Sequence, residues 1–404
     1  MLFICDEYPP GKAGGIGTCV QLLSRELVGQ GHEVYVAGLY PFFYGQADYE
    51  LDQGVKVWRL RYGLKSELFQ TELFVRLFNR LPYFIRALIN GKKHTDKFSV
   101  FVSKLVSENK IEIAEHPDFL CFTANLGRTV RLPELKIPLV VKIHGSYSYF
   151  EMEAGRVPDP RKKKEDELLF DSAFAISAVS EYAARITSSI FGMKRDIRVI
   201  HNGIIIPDSI PANTLSSKLV FFSGTLVPKK GIYSLLKAWN LVAARHPDAV
   251  LRVFGKGKIK KLDQYLDKKN RNSVKFMGHV NRDKLMAAIS ESSMAVFPSY
   301  SETFGMGVVE AMSLRCPVIY TRRSCGPEIV NDQTDGLLVD PDSDSEIAEK
   351  ICLLFENREL AQRLATRGFE KVKQNFNITR CAQKNIAFYN ETLQKFNQPH
   401  HSKY

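Results

Sequence analysis

Residues 298–310 run Pro-Ser-Tyr-Ser-Glu-Thr-Phe-Gly-Met-Gly-Val-Val-Glu, which places Glu302 and Glu310 seven intervening residues apart. Paired carboxylates invite a reading as general acid and base. Their surroundings favour a different one. Residues 294–297 are an apolar run that reads as a buried strand, Pro298 stops it, Gly305 and Gly307 bare the backbone, and an apolar helix follows. The free N–H groups and the dipole at such a helix start favour an anion. Carboxylates would repel a phosphate at contact, yet they suit hydroxyl groups on either side of it. The segment therefore fits a ligand with a phosphate in the middle and hydroxyls at both ends. Simple helix capping and a surface salt bridge are the structural alternative for the same two glutamates.

Three further stretches have residue types that suit the same ligand. Gly14-Gly15-Ile16-Gly17 lies between an expected strand and an expected helix, where glycine lets backbone N–H groups approach a phosphate or sugar. It is not a full dinucleotide fingerprint, because Val20 occupies the place of the last glycine. His144-Gly145 closes the apolar run 139–143, and a histidine at the carboxyl end of a strand beside a glycine turn points into a cleft. Ser223-Gly224-Thr225-Leu-Val-Pro228-Lys229-Lys230-Gly231 again joins a strand to a helix, and a lysine there meets a diphosphate as a point charge. Asp340-Pro-Asp342-Ser-Asp344 has a metal-like Asp-x-Asp spacing, but it precedes a helix, and N-capping with dipole compensation accounts for it.

The elements that position these residues alternate strand and helix almost throughout, the pattern of α/β domains with parallel sheets. Strands are expected at 2–5, 33–38, 111–114, 139–143, 173–177 and 197–200, with a helix over 18–30. Residues 207–217 are rich in Pro, Ser, Asn and Asp, and the domain boundary is placed there. The second unit restarts with a strand at 219–223 and a helix over 232–245. Further strands follow at 250–254, 274–276, 294–297, 318–320 and 336–339. The expected division is 1–207, 208–378, and a last helix and tail over 379–404. Ligands in doubly wound sheets bind beyond the carboxyl ends of the strands, so a cleft between two such domains is the expected active site.

A chain of 404 residues exceeds one ordinary core, and 45% hydrophobic with 25% charged residues matches a globular enzyme. No apolar run is long enough for a transmembrane helix, and the start Met-Leu-Phe-Ile-Cys lacks the basic leader of a signal peptide. The seven cysteines include no CxxC pair, which points to a reduced cytoplasm without disulfides or structural zinc. The net charge of +12 is uneven. Residues 1–207 hold 27 Lys+Arg against 24 Asp+Glu, and residues 208–404 hold 29 against 20. A basic second half suits a phosphorylated ligand or an anionic surface, and no nucleic-acid module accompanies it. Residues 64–90 place Leu68, Phe69, Leu73, Phe74, Leu77, Phe78 and Leu81 at helical spacing among arginines. They read either as an amphipathic element on an anionic membrane or as a helix packed on its own domain.

The joint order of these motifs resembles a retaining glycosyltransferase of the GT-B fold, in the large family four group, over nearly the whole chain. Gly14-Gly15-Ile16-Gly17 resembles that family's glycine loop, and His144-Gly145 its sugar-contacting histidine. Phe276-Met-Gly278-His279-Val280 resembles the turn near the nucleotide base, and Glu302 to Glu310 its glutamate pair. The resemblance implies two doubly wound Rossmann-like domains facing across a cleft. It implies donor contacts from Gly15, Gly17, Thr225, Gly278, His279 and Val280, and from the backbone of Phe304, Gly305, Met306 and Gly307. It further implies that Lys230 neutralises a donor diphosphate, Glu302 accepts from the transferred sugar, Glu310 accepts from ribose and His144 contacts the sugar. The sequence departs from the family at Thr225, where an arginine is usual, and at Cys316, where glycine is common. Lys229, Arg322 and Arg323 are the candidates to replace the missing charge.

The implied reaction is transfer of a sugar from a nucleoside diphosphate sugar to an acceptor hydroxyl, with retention, no cofactor and no metal. The acceptor side is expected in residues 40–100 and 146–165, including Arg161-Lys162-Lys163-Lys164. Their basic and aromatic character points to a glycan or lipid-linked acceptor at the inner membrane face. Competing readings are a catalytically silent nucleotide-sugar-binding partner, favoured by Thr225, a nicotinamide-dependent oxidoreductase and a sugar-nucleotide epimerase of the same fold.

Overall fold

The computed structural model describes residues 1–10, 14–41, 44, 46–62, 83–119, 135–209, 218–259 and 262–398. The chain divides into two units, Met1–Gly203 with Cys381–Tyr404, and Ile204–Arg380.

The first unit is built on β1 (Leu2–Ile4), β2 (Tyr35–Pro41), β3 (Tyr49–Asp52), β4 (Val55–Tyr62), β5 (Ala114–Pro117), β6 (Leu139–Ile143), β7 (Ala175–Ala178) and β8 (Ile197–Val199). Their order is β3-β4-β2-β1-β5-β6-β7-β8, parallel except for the antiparallel edge strand β3. Strands β1, β5 and β6 are buried at every position, as expected of a parallel sheet covered on both faces. The helix Gly15–Gly29 follows β1 and is fastened to β3. Asp52 accepts from Arg25 at 2.7 and 3.0 Å, from the Tyr8 hydroxyl at 2.7 Å and from Gln21 at 3.1 Å. The last helix, Ile378–Phe396, joins this unit from Cys381 onward. There the Tyr389 hydroxyl donates to Glu115 at 2.6 Å, and Lys142 donates to Asn385 at 3.2 Å.

The second unit holds β9 (Leu219–Ser223), β10 (Val250–Phe254), β11 (Val274–Gly278), β12 (Met294–Phe297), β13 (Val318–Thr321) and β14 (Leu337–Val339). The order is β11-β10-β9-β12-β13-β14, with every pairing parallel. The succession runs one way from β9 to β11 and the other way from β12 to β14. The switch point therefore lies between β9 and β12, where such sheets open a crevice beyond their carboxyl ends. The helix Ile232–Arg245 covers this sheet with Leu235, Leu236, Trp239, Val242 and Ala243, spaced along one face. Buried Trp239 satisfies its indole N–H on Ser273 at 2.9 Å.

Several expectations shift. Residues 15–17 are the first turn of the helix rather than a break before it, because the chain enters helical geometry directly after Gly14. β2 begins at Tyr35, two residues later than expected, and Glu33 lies outside it exposed. β5 begins three residues later than the apolar pattern suggested, since its Glu115 and His116 are polar yet buried. The amphipathic stretch over 64–90 lies outside the described residues as far as 82, and a helix runs over Tyr83–Glu108. Among the described residues no helix is long and apolar enough to cross a membrane.

One glycine ties the β9 loop to the end of β12. Gly231 has φ 72°, and a Cβ there would overlap the Pro298 carbonyl. Gly231→Ala is expected to lower stability by at least ~2 kcal/mol in urea denaturation. Gly29→Ala, in open space within a helix, should change stability by less than ~1 kcal/mol and in the favourable direction. Equal effects of the two substitutions would contradict the close approach of the two loops.

Candidate active site

The crevice at the β9/β12 switch point is furnished from both sides. After β9 the chain turns through Gly224 and exposed Thr225 into a short 3-10 helix, Pro228–Lys230, which ends at Gly231. After β12 it passes through Pro298 and Ser299 to Glu302 and then enters the helix Met306–Ser313. Lys230 Nζ donates to Glu302 Oε1 at 2.7 Å, and the Ser299 hydroxyl donates to the same oxygen at 3.0 Å. The Glu302 N–H donates to the Ser324 hydroxyl at 3.1 Å, which fixes the backbone of the acid from the loop after β13. Both side chains of the pair are partly accessible, at 26% for Lys230 and 14% for Glu302. Lys229 lies beside them, and loss of hydration together with the Lys230 charge lowers its pKa against the pull of Glu302.

The helix Met306–Ser313 starts without a side-chain cap and without an acidic residue in its first turn. Its N-cap, Gly305, has φ 80°, and a Cβ there would overlap the Tyr320 hydroxyl. Phe304 is buried and packs edge-on against Phe376 at 5.5 Å, and Gly307 lies over Phe297. The free backbone N–H groups of such a helix start favour an anion. Glu310, one turn further in, is buried and lies 2.9 Å from Arg282. Burial pushes its pKa up, and the arginine opposes that shift. Gly278 ends β11 with φ 71°, His279 is exposed and Val280 half-buried in the turn that leads to Arg282.

Arg322 and Arg323, considered as replacements for a charge at Thr225, each form ion pairs. Arg322 pairs with Glu346 at 2.6 Å, and Arg323 pairs with Asp340 and Asp342. The Asp-x-Asp spacing is thus taken up by an arginine and by the Tyr300 hydroxyl, which donates to Asp342 at 2.8 Å. Among the described residues no cluster of three or more His, Cys, Asp or Glu could hold a metal ion. Cys316 is buried, and burial pushes its thiol pKa well up.

In the first unit the candidates gather at the carboxyl ends of β1, β5 and β6. Gly15 faces open space, whereas a Cβ on Gly17 would overlap the Glu7 carbonyl, so that glycine serves close packing of the helix on the segment after β1. His144 is buried at the end of β6. Asp118, just beyond β5, accepts the His144 N–H at 2.7 Å and the Gly145 N–H at 3.1 Å, clamping the turn on which the imidazole is mounted. Desolvation lowers the His144 pKa to about 3, with the Lys142 charge adding to the shift. Desolvation lowers His116 to about 4 despite its 2.6 Å contact with the Pro117 carbonyl. Both rings are neutral at ordinary pH. Desolvation likewise raises Asp118 to about 8, opposed by the two backbone N–H groups and reinforced by Asp166.

Thus Lys230, Glu302, Thr225 and the stretch Phe304–Gly307 share one unit with Gly278, His279, Val280 and Glu310, while Gly15, Gly17 and His144 belong to the other. Ser299, Ser324, Asp118 and Arg282 were not anticipated. Asp118 follows from placing β5 correctly, since it then sits directly after a strand end. Arg282 carries no signal beyond its place in the first turn of the helix Arg282–Ser290.

The comparisons with known proteins agree with this architecture. Residues 208–371 match the family model for glycosyl transferases group 1, and residues 13–206 match that for glycosyltransferase family 4. An uncharacterized glycosyltransferase of Methanocaldococcus jannaschii is 32% identical over 49% of this chain and 55% of its own length. The fold matches sucrose-phosphate synthase from Thermosynechococcus elongatus, with a TM-score of 0.74 and 18% identity over 98% of this chain and 99% of that one. It also matches Anabaena HepE in complex with UDP and glucose, with a TM-score of 0.70 and 17% identity over 96% and 99%. The chain belongs to the family four, group 1 glycosyltransferases and has their GT-B fold of two Rossmann-like domains.

The buried histidines make stability depend on pH with a definite sign. On unfolding, each recovers a pKa near 6.5 and binds a proton that the folded chain refuses down to about pH 4. Stability therefore falls as pH drops from about 6.5 towards 4, by up to ~1.4 kcal/mol per pH unit for each histidine. Asp118 acts oppositely, losing stability as pH rises towards about 8. A His116→Gln, His144→Gln double variant should show a shallower acid limb than the wild-type chain in urea titrations between about pH 4.5 and 7. An unchanged limb would mean the histidines are not buried neutral.

Proposed function

We propose that this glycosyltransferase moves a sugar from a nucleoside diphosphate sugar to an acceptor hydroxyl with retention of configuration, and that the second unit holds the donor. One observation carries the reading: the Lys230–Glu302 pair, 2.7 Å apart, stands beside an uncapped helix N-terminus at the switch point of the sheet. A cation and free backbone N–H groups suit a diphosphate, and a partly accessible carboxylate next to them suits a sugar hydroxyl. The UDP and glucose bound by HepE are in keeping with a donor of this class.

In the proposed reaction the bond between the anomeric carbon and the leaving phosphate oxygen breaks, and negative charge grows on the diphosphate. Lys230 and the N–H groups of Gly305, Met306 and Gly307 are fixed to receive that charge before it develops, which is what lowers a barrier. Lys229, next to Lys230 in the same loop, supplies the second cation in place of an arginine at Thr225. Glu302 accepts from a hydroxyl of the transferred sugar, Glu310 from ribose, and the turn Gly278–Val280 lies by the base. The acceptor hydroxyl attacks from the face that the phosphate leaves and gives its proton to the departing phosphate oxygen. No metal and no cofactor takes part. Neutral His144 offers a hydrogen bond to the sugar without adding charge.

The acceptor is proposed to be a glycan or a lipid-linked glycan. Val157 and Met152 are exposed near the basic run 161–164, and Lys162 lies 3.9 Å above the Tyr147 ring. Apolar side chains beside a basic run suit a lipid carrier or an anionic membrane face, and with it a cytoplasmic, peripheral location.

A thermal-shift screen against UDP-, GDP- and ADP-sugars should reveal one stabilising donor class, followed by transfer in an activity assay. Lys230→Ala should lower turnover by at least ~10²-fold, the loss typical of removing one group that meets developing charge. Lys229→Ala should cost less. Product analysis by NMR should show the donor's anomeric configuration. Donor binding without transfer would favour a silent binding partner, which exposed Thr225 would suit, and an inverted product would reject the mechanism.

A further inference from the structure

Half of the chain's positive excess lies in one short stretch. Residues 256–275 hold eight Lys+Arg against two Asp, in a chain whose net charge is +12. The two ends of this stretch meet the second sheet differently. Lys268 and Lys269 precede β11, at its amino end. Lys256 and Lys258 follow β10, at the carboxyl edge where the crevice opens. All four side chains are exposed, and none of them forms an ion pair among the described residues.

The loop that carries Lys256 and Lys258 is tied to the loop after β9. The Gly224 N–H donates to the Phe254 carbonyl at 3.0 Å, and the Leu226 N–H donates to the Lys256 carbonyl at 2.8 Å. The Gly255 N–H donates in turn to the Gly278 carbonyl at 2.8 Å. Gly255 has φ 138°, and a Cβ there would overlap the Gly224 carbonyl, while one on Gly257 would overlap the Leu226 side chain. Backbones paired in this way run about 5 Å apart. Lys256 therefore lies beside the turn that leads from Thr225 to Lys230. A charge this near is inside the Debye length, about 8 Å at physiological salt, so its field reaches the crevice. Lys230 is fixed by Glu302, which suits it to one atom of a bound ligand. Exposed lysines without such a partner are not aimed at one atom. They raise the local concentration of an anion and its rate of arrival. We propose that Lys256 and Lys258 form a capture site for the donor's diphosphate at the mouth of the crevice, acting on its association rather than on the chemical step. The inference rests on the reading of the second unit as a nucleoside diphosphate sugar site.

The test is stopped-flow association of UDP, GDP and ADP, each labelled with a fluorophore on the base, with the full chain. For the nucleotide that binds, the wild-type association rate should fall at least about fivefold between about 20 mM and about 300 mM salt. The double variant Lys256→Gln, Lys258→Gln should associate at least about threefold more slowly at low salt, with a flatter salt dependence and dissociation within about twofold of wild type. The double variant Lys268→Gln, Lys269→Gln removes the same charge from the amino end of β11, and its association should stay within about 1.5-fold of wild type. Lys256→Arg, Lys258→Arg should keep the wild-type rate, which separates charge from packing. Undiminished association in the Lys256→Gln, Lys258→Gln variant would overturn the proposal, as would a loss confined to dissociation. Equal slowing by the substitutions at Lys268 and Lys269 would overturn it too, reducing these lysines to a diffuse surface charge. Failure of the wild-type chain to bind any of the three nucleotides would overturn the inference and the donor-site reading together.

Discussion

The bond from Lys230 to Glu302 joins the two loops on either side of the switch point, and the surrounding structure is arranged around it. Parallel order forces all six strands of the second sheet to end on the same edge, and the reversal of succession after β9 leaves a gap there. Lys230 reaches this gap only because the chain turns tightly at Gly231, against the Pro298 carbonyl. Glu302 is held from a third strand through Ser324. The pair has one acid and one base from different loops, partly accessible, so neither charge is locked away as in a fully buried bridge. A partly solvated pair contributes little to stability. In the proposed function its consequence is electrostatic: the carboxylate keeps the lysine in place and its charge is offered to a stronger anionic partner.

The first unit solves a different problem at its strand ends. Here polar side chains are taken out of water: Glu115, His116, Asp118, Lys142 and His144 are all buried. The last helix answers two of them, through Tyr389 on Glu115 and Asn385 on Lys142. Asp118 answers the backbone of the His144 turn. Burial keeps both histidines neutral.

Much of this was legible in the residues. The apolar runs at 219–223, 250–254 and 294–297 alternate with turns and helical spacing, and the strands and the helix Ile232–Arg245 stand where that pattern places them. Strand pairing order is not encoded locally, so the switch point became visible only in the sheet. β5 was misplaced because hydrophobicity marks buried strands, and this one carries Glu115 and His116. Asp118 was missed for the same reason. Glu302 and Glu310 look equivalent in the sequence, yet one meets a lysine from a distant loop and the other an arginine from the helix after β11. Ion pairs between segments some thirty to seventy residues apart leave no spacing signal. The partners of Arg322 and Arg323, namely Glu346, Asp340 and Asp342, likewise leave no signal in the sequence.

The central claim of the proposed function is that Lys230, although paired with Glu302, receives the diphosphate. Calorimetric titration with the bare nucleoside diphosphate, comparing the wild-type chain with Glu302→Gln, tests it most directly. Loss of the carboxylate charge removes the competitor for the lysine, so the variant should bind the diphosphate at least as tightly as the wild-type chain, and more tightly at low ionic strength. A marked loss of affinity in Glu302→Gln, with the fold intact, would contradict the claim and leave the pair as a structural bridge.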